Sequence, residues 1–276
     1  MQDQINTGAS EICKVISRAL EDDDGALIGR NGTIELTYMI YNNSSSIPIL
    51  ERNAGVFCGN LVLWRQTSIK ASQSADILAA GWYEPLREAE QVAFKQWSIS
   101  AIQVPLRSLE PYYVDSSCQW TSYLKGHRVA IVSSFCNSAK EQVQKGNTFF
   151  PSEIEFRWIQ TGHPPLVAQG RNEWPPHINN WSNALDYLVT EVISSGARFA
   201  LIGCGGLGML LAKMLKERGV IAIVLGGSIQ LLFKIKGARW VNHELSKLWT
   251  SEWIWPSEEE TPRAASTIEG GCYWKN

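Results

Sequence analysis

Short apolar runs alternate with segments of helical periodicity along the second half of the chain. The runs "GHRVAIVSSF", "EIEFRWIQ" and "FALIG" each precede a helix-like segment, and a further run, "VIAIVLGG", follows the last of these. Strands that alternate with helices are typical of parallel strands joined by crossover helices. The pattern therefore predicts a layered α/β domain with a Rossmann-like, mostly parallel sheet flanked by helices.

The first half begins in the same way and then changes. Apolar residues at helical spacing predict an amphipathic helix near the N-terminus, at Ile12, Val15, Ile16, Ala19 and Leu20. The run "GALIGR" (25–30) predicts a buried strand, which turns into the apolar helical segment "NGTIELTYMIY". From residue 51 to about 120 the patterns are mostly helical, so we expect a helical insertion after this strand-turn-helix unit, within one domain that spans residues 1–276.

Composition and charge limit the classes of partner. The chain has 276 residues, of which 45% are hydrophobic, enough to bury one large core. With 25 basic and 27 acidic residues the formal net charge is −2, which provides no electrostatic footprint for nucleic acid or for an anionic membrane. The longest apolar stretch, Val220 to Phe233, contains two glycines and is too short to span a bilayer. Small ligands or other proteins are the expected partners.

The cysteines and the N-terminal sequence indicate the cellular compartment in which we expect the protein. Six cysteines lie far apart without a CxxC pair, which argues against a zinc site and against a dense disulfide framework. The N-terminus lacks the basic-then-apolar order of a signal peptide. We therefore expect a cytoplasmic protein.

A glycine cluster stands out in "FALIGCGGLGMLLAKMLKERGVIAIVLGG", where Gly203, Gly205 and Gly208 fit GxGxxG. Glycines between a strand and a helix let backbone amides approach a ligand, and the helix N-terminus favours an anion such as a pyrophosphate. A nicotinamide site also needs an acidic residue after the next strand, and "IAIVLGGS" has none, which argues against a dehydrogenase.

Three other interpretations of this cluster stay open. "LIGCGGLG" also resembles the adenylating enzymes that activate ubiquitin-like proteins and the first motif of class I methyltransferases, which use S-adenosylmethionine. Both families usually place an acid after the second strand and need several more strands downstream, whereas this chain has no such acid and only 68 residues after Gly208. The third interpretation is a glycine turn that only lets a helix and a strand pack tightly.

Ligands of open α/β sheets bind outside the carboxyl ends of the strands, so acidic residues that follow a strand are candidates for the site and those that precede one are not. Glu35 follows the first predicted strand in "RNGTIEL", together with Arg30 and Thr33. It is either a carboxylate in the first turn of a helix, where the helix dipole favours it, or a catalytic or metal-binding acid on the same rim as the glycine cluster.

Several segments in the same order carry a resemblance to a known family. They are "GRNGTIEL", "NAGVF" (53–57), "DILAAGW" (76–82), "SYLKGHRVAIVSSF" (122–135), "IGCGGLGMLLAKMLKERGVIAIVLGGSIQLLFKIKGARW" (202–240) and "GGCYW" (270–274). Together they look like bacterial and viral glycosyltransferase-like proteins, similar to the glycosyltransferases of the GT-D fold. The resemblance implies a Rossmann-like parallel sheet that binds a UDP- or GDP-sugar and transfers the sugar to a carbohydrate or other hydroxyl acceptor. For a viral protein the expected location becomes the host cytoplasm.

The resemblance also bears on a metal. In GT-D enzymes the turn after the first strand carries an Asp-x-Glu motif that holds a divalent cation, Mn²⁺ or Mg²⁺, near the donor diphosphate. On this chain the motif falls on Thr33, Ile34 and Glu35, so that a hydroxyl stands where the Asp is expected. A hard cation prefers several oxygen ligands, and one carboxylate with a hydroxyl makes a weaker cage. Metal dependence, with Glu35 as the metal ligand, stays open.

The remaining candidates follow from the chemistry of sugar transfer, which leaves a diphosphate charge for cations or amides to stabilise. The candidate donor-binding residues are Arg30, Gly32, Thr33, Gly203, Gly205, Gly206, Gly208, Gly226, Gly227, Ser228, Lys236 and Arg239. Glu35 and Asp76 are the candidate general bases for the acceptor hydroxyl, Asp76 because of its place in "DILAAGW". His163 and His177 lie in a proline-punctuated stretch, a candidate lid or acceptor loop. A non-catalytic nucleotide- or sugar-binding protein is the alternative that Thr33 suggests.

Overall fold

Seven parallel strands form one sheet in the computed structural model, which describes residues 1–275. They are β1 (Ala26–Arg30), β2 (Ile77–Ala79), β3 (Ile102–Val104), β4 (Arg128–Ser133), β5 (Glu155–Gln160), β6 (Phe199–Gly203) and β7 (Ile221–Val224). Their order across the sheet is β3-β2-β1-β7-β6-β4-β5, and every neighbouring pair is parallel. The predicted α/β fold with a parallel sheet is confirmed.

Helices cover both faces of this sheet. They are α1 (Gln2–Glu21), α2 (Thr33–Tyr41), α3 (Ile47–Ala54), α4 (Leu61–Gln73), α5 (Arg87–Gln96), α6 (Cys136–Gln144), α7 (Pro165–Ala168), α8 (Trp181–Ser194), α9 (Gly208–Lys216) and α10 (Ile229–Leu232). Residues from α2, α3, α4, α5, α8 and α9 pack in the core on one face of the sheet. Residues from α1, α6, α10 and the C-terminal segment pack on the other face.

The inner strands are largely apolar because the middle of the sheet is buried on both faces, whereas the edge strands β3 and β5 are partly exposed. Successive residues point to opposite sides, so Leu27 and Ile202 join one core layer while Ile28 and Leu201 join the other. A strand buried on both sides has a continuous apolar run, which is why the sequence pattern showed β1, β4, β6 and β7 clearly.

The segment from 51 to 120, expected to be a helical insertion, differs from that expectation. It contains helices, but it also contributes β2 and β3, which extend the sheet beyond β1 through pairs such as Ile28 with Ile77. Each of these strands has only three residues, too few to show a strand periodicity between helical neighbours. The segment is therefore part of the sheet.

The connections that leave the strands diverge between β6 and β4, because β6 leads to β7 on one side and β4 leads to β5 on the other. From β1 the chain moves outward to β2 and β3, then crosses to the other side of β7 for β4 and β5 and returns through β6. A crevice opens at the carboxyl ends of the strands where the connections diverge in this way. The residues that follow the strands meet at this edge.

The C-terminal segment is held across the same edge. The Glu260 carboxylate, 1% exposed, accepts hydrogen bonds from the backbone N–H groups of Asn137 (2.7 Å) and Ser138 (3.2 Å) at the start of α6. Trp274 is buried and donates its indole N–H to the Glu260 carbonyl at 3.1 Å. A carboxylate at a helix N-terminus satisfies otherwise unpaired amides and the helix dipole. Glu260 therefore holds the segment that carries Trp274 against the sheet edge.

Candidate functional site

A cleft of about 320 Å³ lies at the carboxyl edge of the sheet. Six strands contribute to it through Arg30 (β1), Trp82 (after β2), Ser134 (after β4), Thr161 (after β5), Gly203 (β6) and Gly226 (after β7). The N-terminus of α2, the C-terminus of α3 and the C-terminal segment complete the lining. The cleft therefore occupies the place where open α/β sheets bind ligands.

On one side of the cleft Arg30 is held by stacking. Its guanidinium carbon lies 4.7 Å from the centroid of the Trp82 ring, a cation–π distance. Gly226 has a φ of +60°, and a Cβ built on it would lie 3.4 Å from the same guanidinium carbon. Among residues 1–275 no carboxylate oxygen lies within 4.0 Å of the Arg30 nitrogens. The guanidinium is thus positioned by an aromatic ring and free to pair with an anion.

Glu35 lies in the first turn of α2, and its carboxylate folds back over Gly32. A Cβ built on Gly32 would overlap Oε2 of Glu35, so glycine makes room for the carboxylate. Burial raises the pKa of Glu35, while a hydrogen bond from its own backbone N–H and the charge of Arg30 act in the opposite direction. A partly buried carboxyl with a raised pKa is a candidate for proton transfer.

Arg239 lies on the other side of the turn after β7, where the C-terminal segment holds it. Its guanidinium pairs with the Glu269 carboxylate at 2.7 Å and lies 4.0 Å from the Tyr273 ring centroid. A Cβ built on Gly227 would lie 2.7 Å from Tyr273, so this glycine lets the ring close over the turn. Together we call Arg30, Glu35 and Arg239 the charged wall.

The part of the cleft lining that follows β4 and β5 has no charged side chain, whereas Arg52, an exposed residue beside Asn53 at the end of α3, also lines the cleft. Burial lowers the pKa of His163 to about 4, so its ring is neutral at pH 7. Three buried polar atoms of the cleft lining have no hydrogen-bond partner among residues 1–275: Asn53 Oδ1, His163 Nε2 and Trp174 Nε1. Buried polar groups in folded proteins are usually paired, and each exception needs a reason. We call Asn53, His163 and Trp174 the neutral wall.

The structure brings nine of the fourteen predicted site residues into the cleft lining. They are Arg30, Gly32, Thr33, Glu35, Gly203, Gly205, Gly226, Gly227 and Arg239. Their roles stay predictions. The nine come from four separate stretches of the chain. Three of them lie at the carboxyl ends of β1, β6 and β7, and the fourth is Arg239, which packs beside the turn after β7.

Asp76 requires a correction. It precedes β2, at the amino edge of the sheet, where its carboxylate accepts the Leu27 N–H at 2.8 Å and pairs with Lys216 at 2.7 Å. The cleft lies at the opposite ends of the strands, so Asp76 is not a catalytic candidate. Its contacts assign it a structural role in joining β1 and β2 to α9.

Gly206 and Gly208 are also outside the cleft. A Cβ on Gly206 would lie 2.5 Å from Val56, and one on Gly208 would lie 3.0 Å from Val224, so both glycines serve close packing.

Ser228 and Lys236 do not line the cleft either. The Ser228 hydroxyl donates to the Leu225 carbonyl at 2.8 Å, whereas the Lys236 amine lies 5.6 Å from the centroid of the Trp249 ring. Neither side chain is placed to contact a ligand in the cleft.

Sequence motifs do not single out Asn53 or Trp174 of the neutral wall, and they indicate His163 only as part of a candidate lid or acceptor loop. His163 follows β5, so the strand-end rule that selected Glu35 would have selected it too. Asn53, at the end of α3, and Trp174, in a loop, had no comparable signal. Glu269 adjoins the "GGCYW" segment, but its pairing with Arg239 becomes visible only in the folded chain.

The residues present do not fit a protein-held metal site. No group of three or more His, Cys, Asp or Glu side chains in the described chain is arranged to hold a metal ion. Thr33 contributes a hydroxyl beside Glu35, and the Glu269 carboxylate is paired with Arg239. We therefore derive no step through a metal. Within residues 1–275 no helix is both long and apolar enough to cross a membrane.

Comparisons with known proteins return one distant likeness. No protein-family model matches the chain, and no curated protein matches it. A solved structure described as "The highly conserved domain of unknown function 1792 has a distinct glycosyltransferase fold" is similar over 81% of this chain and 81% of that chain, with a TM-score of 0.44 and 14% sequence identity. Because a TM-score of 0.44 marks a distant likeness, the function proposed below rests on the residues of the cleft.

Proposed function

We propose that the protein is a glycosyltransferase that uses a nucleotide-diphosphate sugar, UDP- or GDP-linked, and transfers the sugar to a hydroxyl acceptor. The observation that carries the proposal is the charged wall: two arginines on either side of the β7 turn, beside a carboxyl with a raised pKa. Sugar transfer needs both features, because it releases an anionic diphosphate and removes a proton from the acceptor.

The arginines suit the leaving group. Arg30 is stacked on Trp82 without a carboxylate partner, and Arg239 stands over Gly227 at the next strand end. Guanidinium groups bind phosphate oxygens through two parallel hydrogen bonds, which fixes orientation as well as charge. In the proposed complex Arg30 and Arg239 hold the diphosphate, and no other cation is required of the protein.

Glu35 is the proposed general base. In a direct displacement the acceptor hydroxyl gives its proton to Glu35 and its oxygen bonds to the anomeric carbon. The bond from that carbon to the diphosphate oxygen breaks, and its electron pair leaves with the diphosphate. The raised pKa makes Glu35 a stronger base than an exposed glutamate once it is ionised.

A ligand screen tests the proposal. A ligand that binds only the native protein raises its stability, by about 2.7 kcal/mol at one hundred times its Kd. We expect UDP or GDP and the matching nucleotide sugars to raise the melting temperature, measured with and without Mn²⁺. A response to S-adenosylmethionine or ATP alone would instead support a methyltransferase or an adenylating enzyme.

Variants separate binding from turnover. Arg30→Gln should abolish the shift with the nucleotide diphosphate, whereas Glu35→Gln should keep that shift and lose sugar transfer. Arg128→Gln is the matched control, because Arg128 begins β4 at the amino edge of the sheet and is half exposed. Binding without turnover in the wild type, unchanged by Glu35→Gln, would indicate a non-catalytic binding protein.

A further inference from the structure

The neutral wall holds three buried polar atoms that the described chain leaves without partners. Trp174 Nε1 is only a donor, Asn53 Oδ1 is only an acceptor, and Nε2 of the neutral His163 ring donates or accepts according to its tautomer. Leaving such groups desolvated and unpaired costs folding free energy, and a bound partner would restore the missing hydrogen bonds. The cleft therefore offers unpaired hydrogen-bonding atoms to a polar group of a ligand.

That ligand group carries no charge where it meets the wall. None of the three side chains is charged at pH 7, since burial keeps His163 neutral. Arg30 ends β1 and Arg239 follows α10, whereas His163 follows β5 at the far edge of the sheet. A phosphate or carboxylate against these three side chains would lose its hydration without gaining a charged partner among them, and Arg52, the cleft arginine beside Asn53, is exposed to solvent.

Both rings of the wall pack against neighbouring rings, and Phe57 covers one face of Trp174. The Trp174 ring is stacked on Phe57, with 6.5 Å between centroids, and meets Tyr187 edge-on. The His163 ring meets Trp274 edge-on at 5.7 Å. A flat nucleobase binds best against an open aromatic face, whereas hydroxyl groups that both donate and accept suit a mixed set of donors and acceptors.

We propose that the neutral wall is a binding subsite for a neutral sugar ring, held through its hydroxyl groups by Asn53, His163 and Trp174. The inference rests on the glycosyltransferase function proposed above, which offers two sources for this ring. One is the sugar of the nucleotide donor, and the other is a sugar of the acceptor. The recognised chemistry is the same in both cases.

Substitutions that keep shape and remove the polar atoms test the subsite. They are Trp174→Phe, His163→Phe and Asn53→Leu. Trp181→Phe is the matched control, because Trp181 Nε1 is also buried without a partner among residues 1–275 but does not line the cleft. Removing the unpaired polar atoms should not itself lower the melting temperature, but Trp174→Phe and the control Trp181→Phe each also lose buried volume and should lower it to a similar extent. Near-UV circular dichroism checks that each variant is folded.

Two measurements identify the source of the sugar. Calorimetry compares UDP with UDP-glucose and GDP with GDP-mannose, and saturation-transfer NMR detects free glucose, galactose and mannose. If the donor sugar binds the wall, the three variants weaken the nucleotide sugar about 3- to 10-fold and leave the nucleotide diphosphate unchanged. If the acceptor sugar binds there, donor affinities stay unchanged and the monosaccharide signal is lost in the variants but kept in Trp181→Phe.

Other outcomes overturn the inference. Equal weakening of UDP or GDP and its sugar conjugate would assign the wall to the nucleotide. Wild-type affinity in all three variants, with no monosaccharide signal that depends on them, would show that no sugar binds there. A monosaccharide signal without any nucleotide binding would retain the sugar subsite and refute the proposed function, so the two failures are distinguishable.

Discussion

Replacing Gly206 by alanine separates a packing role of the glycine cluster from a phosphate-binding role. The new Cβ would lie 2.5 Å from Cγ2 of Val56 and 3.3 Å from the Trp64 ring, and both neighbours are 1% exposed. Trp64 is further held by a hydrogen bond from its indole N–H to the Gly206 carbonyl at 3.0 Å. The neighbours therefore have little freedom to move.

These contacts set the expected loss of stability in Gly206→Ala. Overpacking by one methyl group in a rigid core costs about 1–3 kcal/mol. Gly206 does not have a positive φ, so alanine adds no backbone strain and reduces the entropy of the unfolded chain by about 0.4–1 kcal/mol. We expect the free energy of unfolding of Gly206→Ala to fall by about 1–2 kcal/mol.

A double-mutant cycle with Val56→Ala tests the cause. Val56→Ala alone leaves a cavity and should cost about 2 kcal/mol, but the added methyl group of Gly206→Ala fills part of that cavity in the double variant. The double variant should therefore be about 1 kcal/mol more stable than the sum of the two single effects predicts.

Urea unfolding followed by tryptophan fluorescence measures the stability of all four proteins, and calorimetry should find nucleotide affinity unchanged in folded Gly206→Ala. Wild-type stability in Gly206→Ala, without coupling to Val56 and with lost nucleotide binding, would refute the packing argument.

Three further predictions concern charged groups. Burial raises the pKa of Glu110 to about 7, so the folded protein binds more protons than the unfolded chain between about pH 4.5 and 7 and loses stability as the pH rises through that range. Glu110→Gln should therefore be no more stable than wild type at pH 4.5 but about 2 kcal/mol more stable at pH 8 in urea unfolding; a constant difference would contradict this. Asp76→Ala removes the ion pair with Lys216 and should lower the free energy of unfolding by about 1–2 kcal/mol. Calorimetry should find its nucleotide affinity unchanged, and a loss of affinity would indicate that Asp76 contributes to the binding site. Glu269→Gln frees Arg239 from its ion pair and should tighten nucleotide diphosphate binding several-fold, whereas weaker binding in calorimetry would indicate that Glu269 itself contacts the ligand.

Hydrophobic periodicity predicted those strands and helices whose apolar pattern extends over at least four residues. β4, β6 and β7 have four or more apolar residues within one run, and α8 has apolar residues at helical spacing over 14 residues. Such elements show their type locally, because one face or both faces must be apolar wherever they pack. β2 and β3 do not, because three residues are compatible with many local structures.

The site was predictable only in part. Glu35 and Arg30 were found because they follow or end a recognisable strand, and a strand end defines an edge of the sheet. Asp76 was misassigned because β2 was not recognised, so the side of the strand on which the acid lies was unknown. Gly203 and Gly205 of the GxGxxG match line the cleft and Gly208 does not, because the contacts of this cluster with Val56 and Val224 depend on segments distant in the chain.

Local patterns of apolar residues were enough to specify the class of fold and the edge of the sheet at which chemistry is possible. Which side chains share the cleft depends on the folded chain. Asn53, His163 and Trp174 come from segments without a common pattern, and Glu269 meets Arg239 within the C-terminal segment that Glu260 holds across the sheet. Contacts between residues far apart in the chain depend on strand order and helix packing, which local periodicity does not encode.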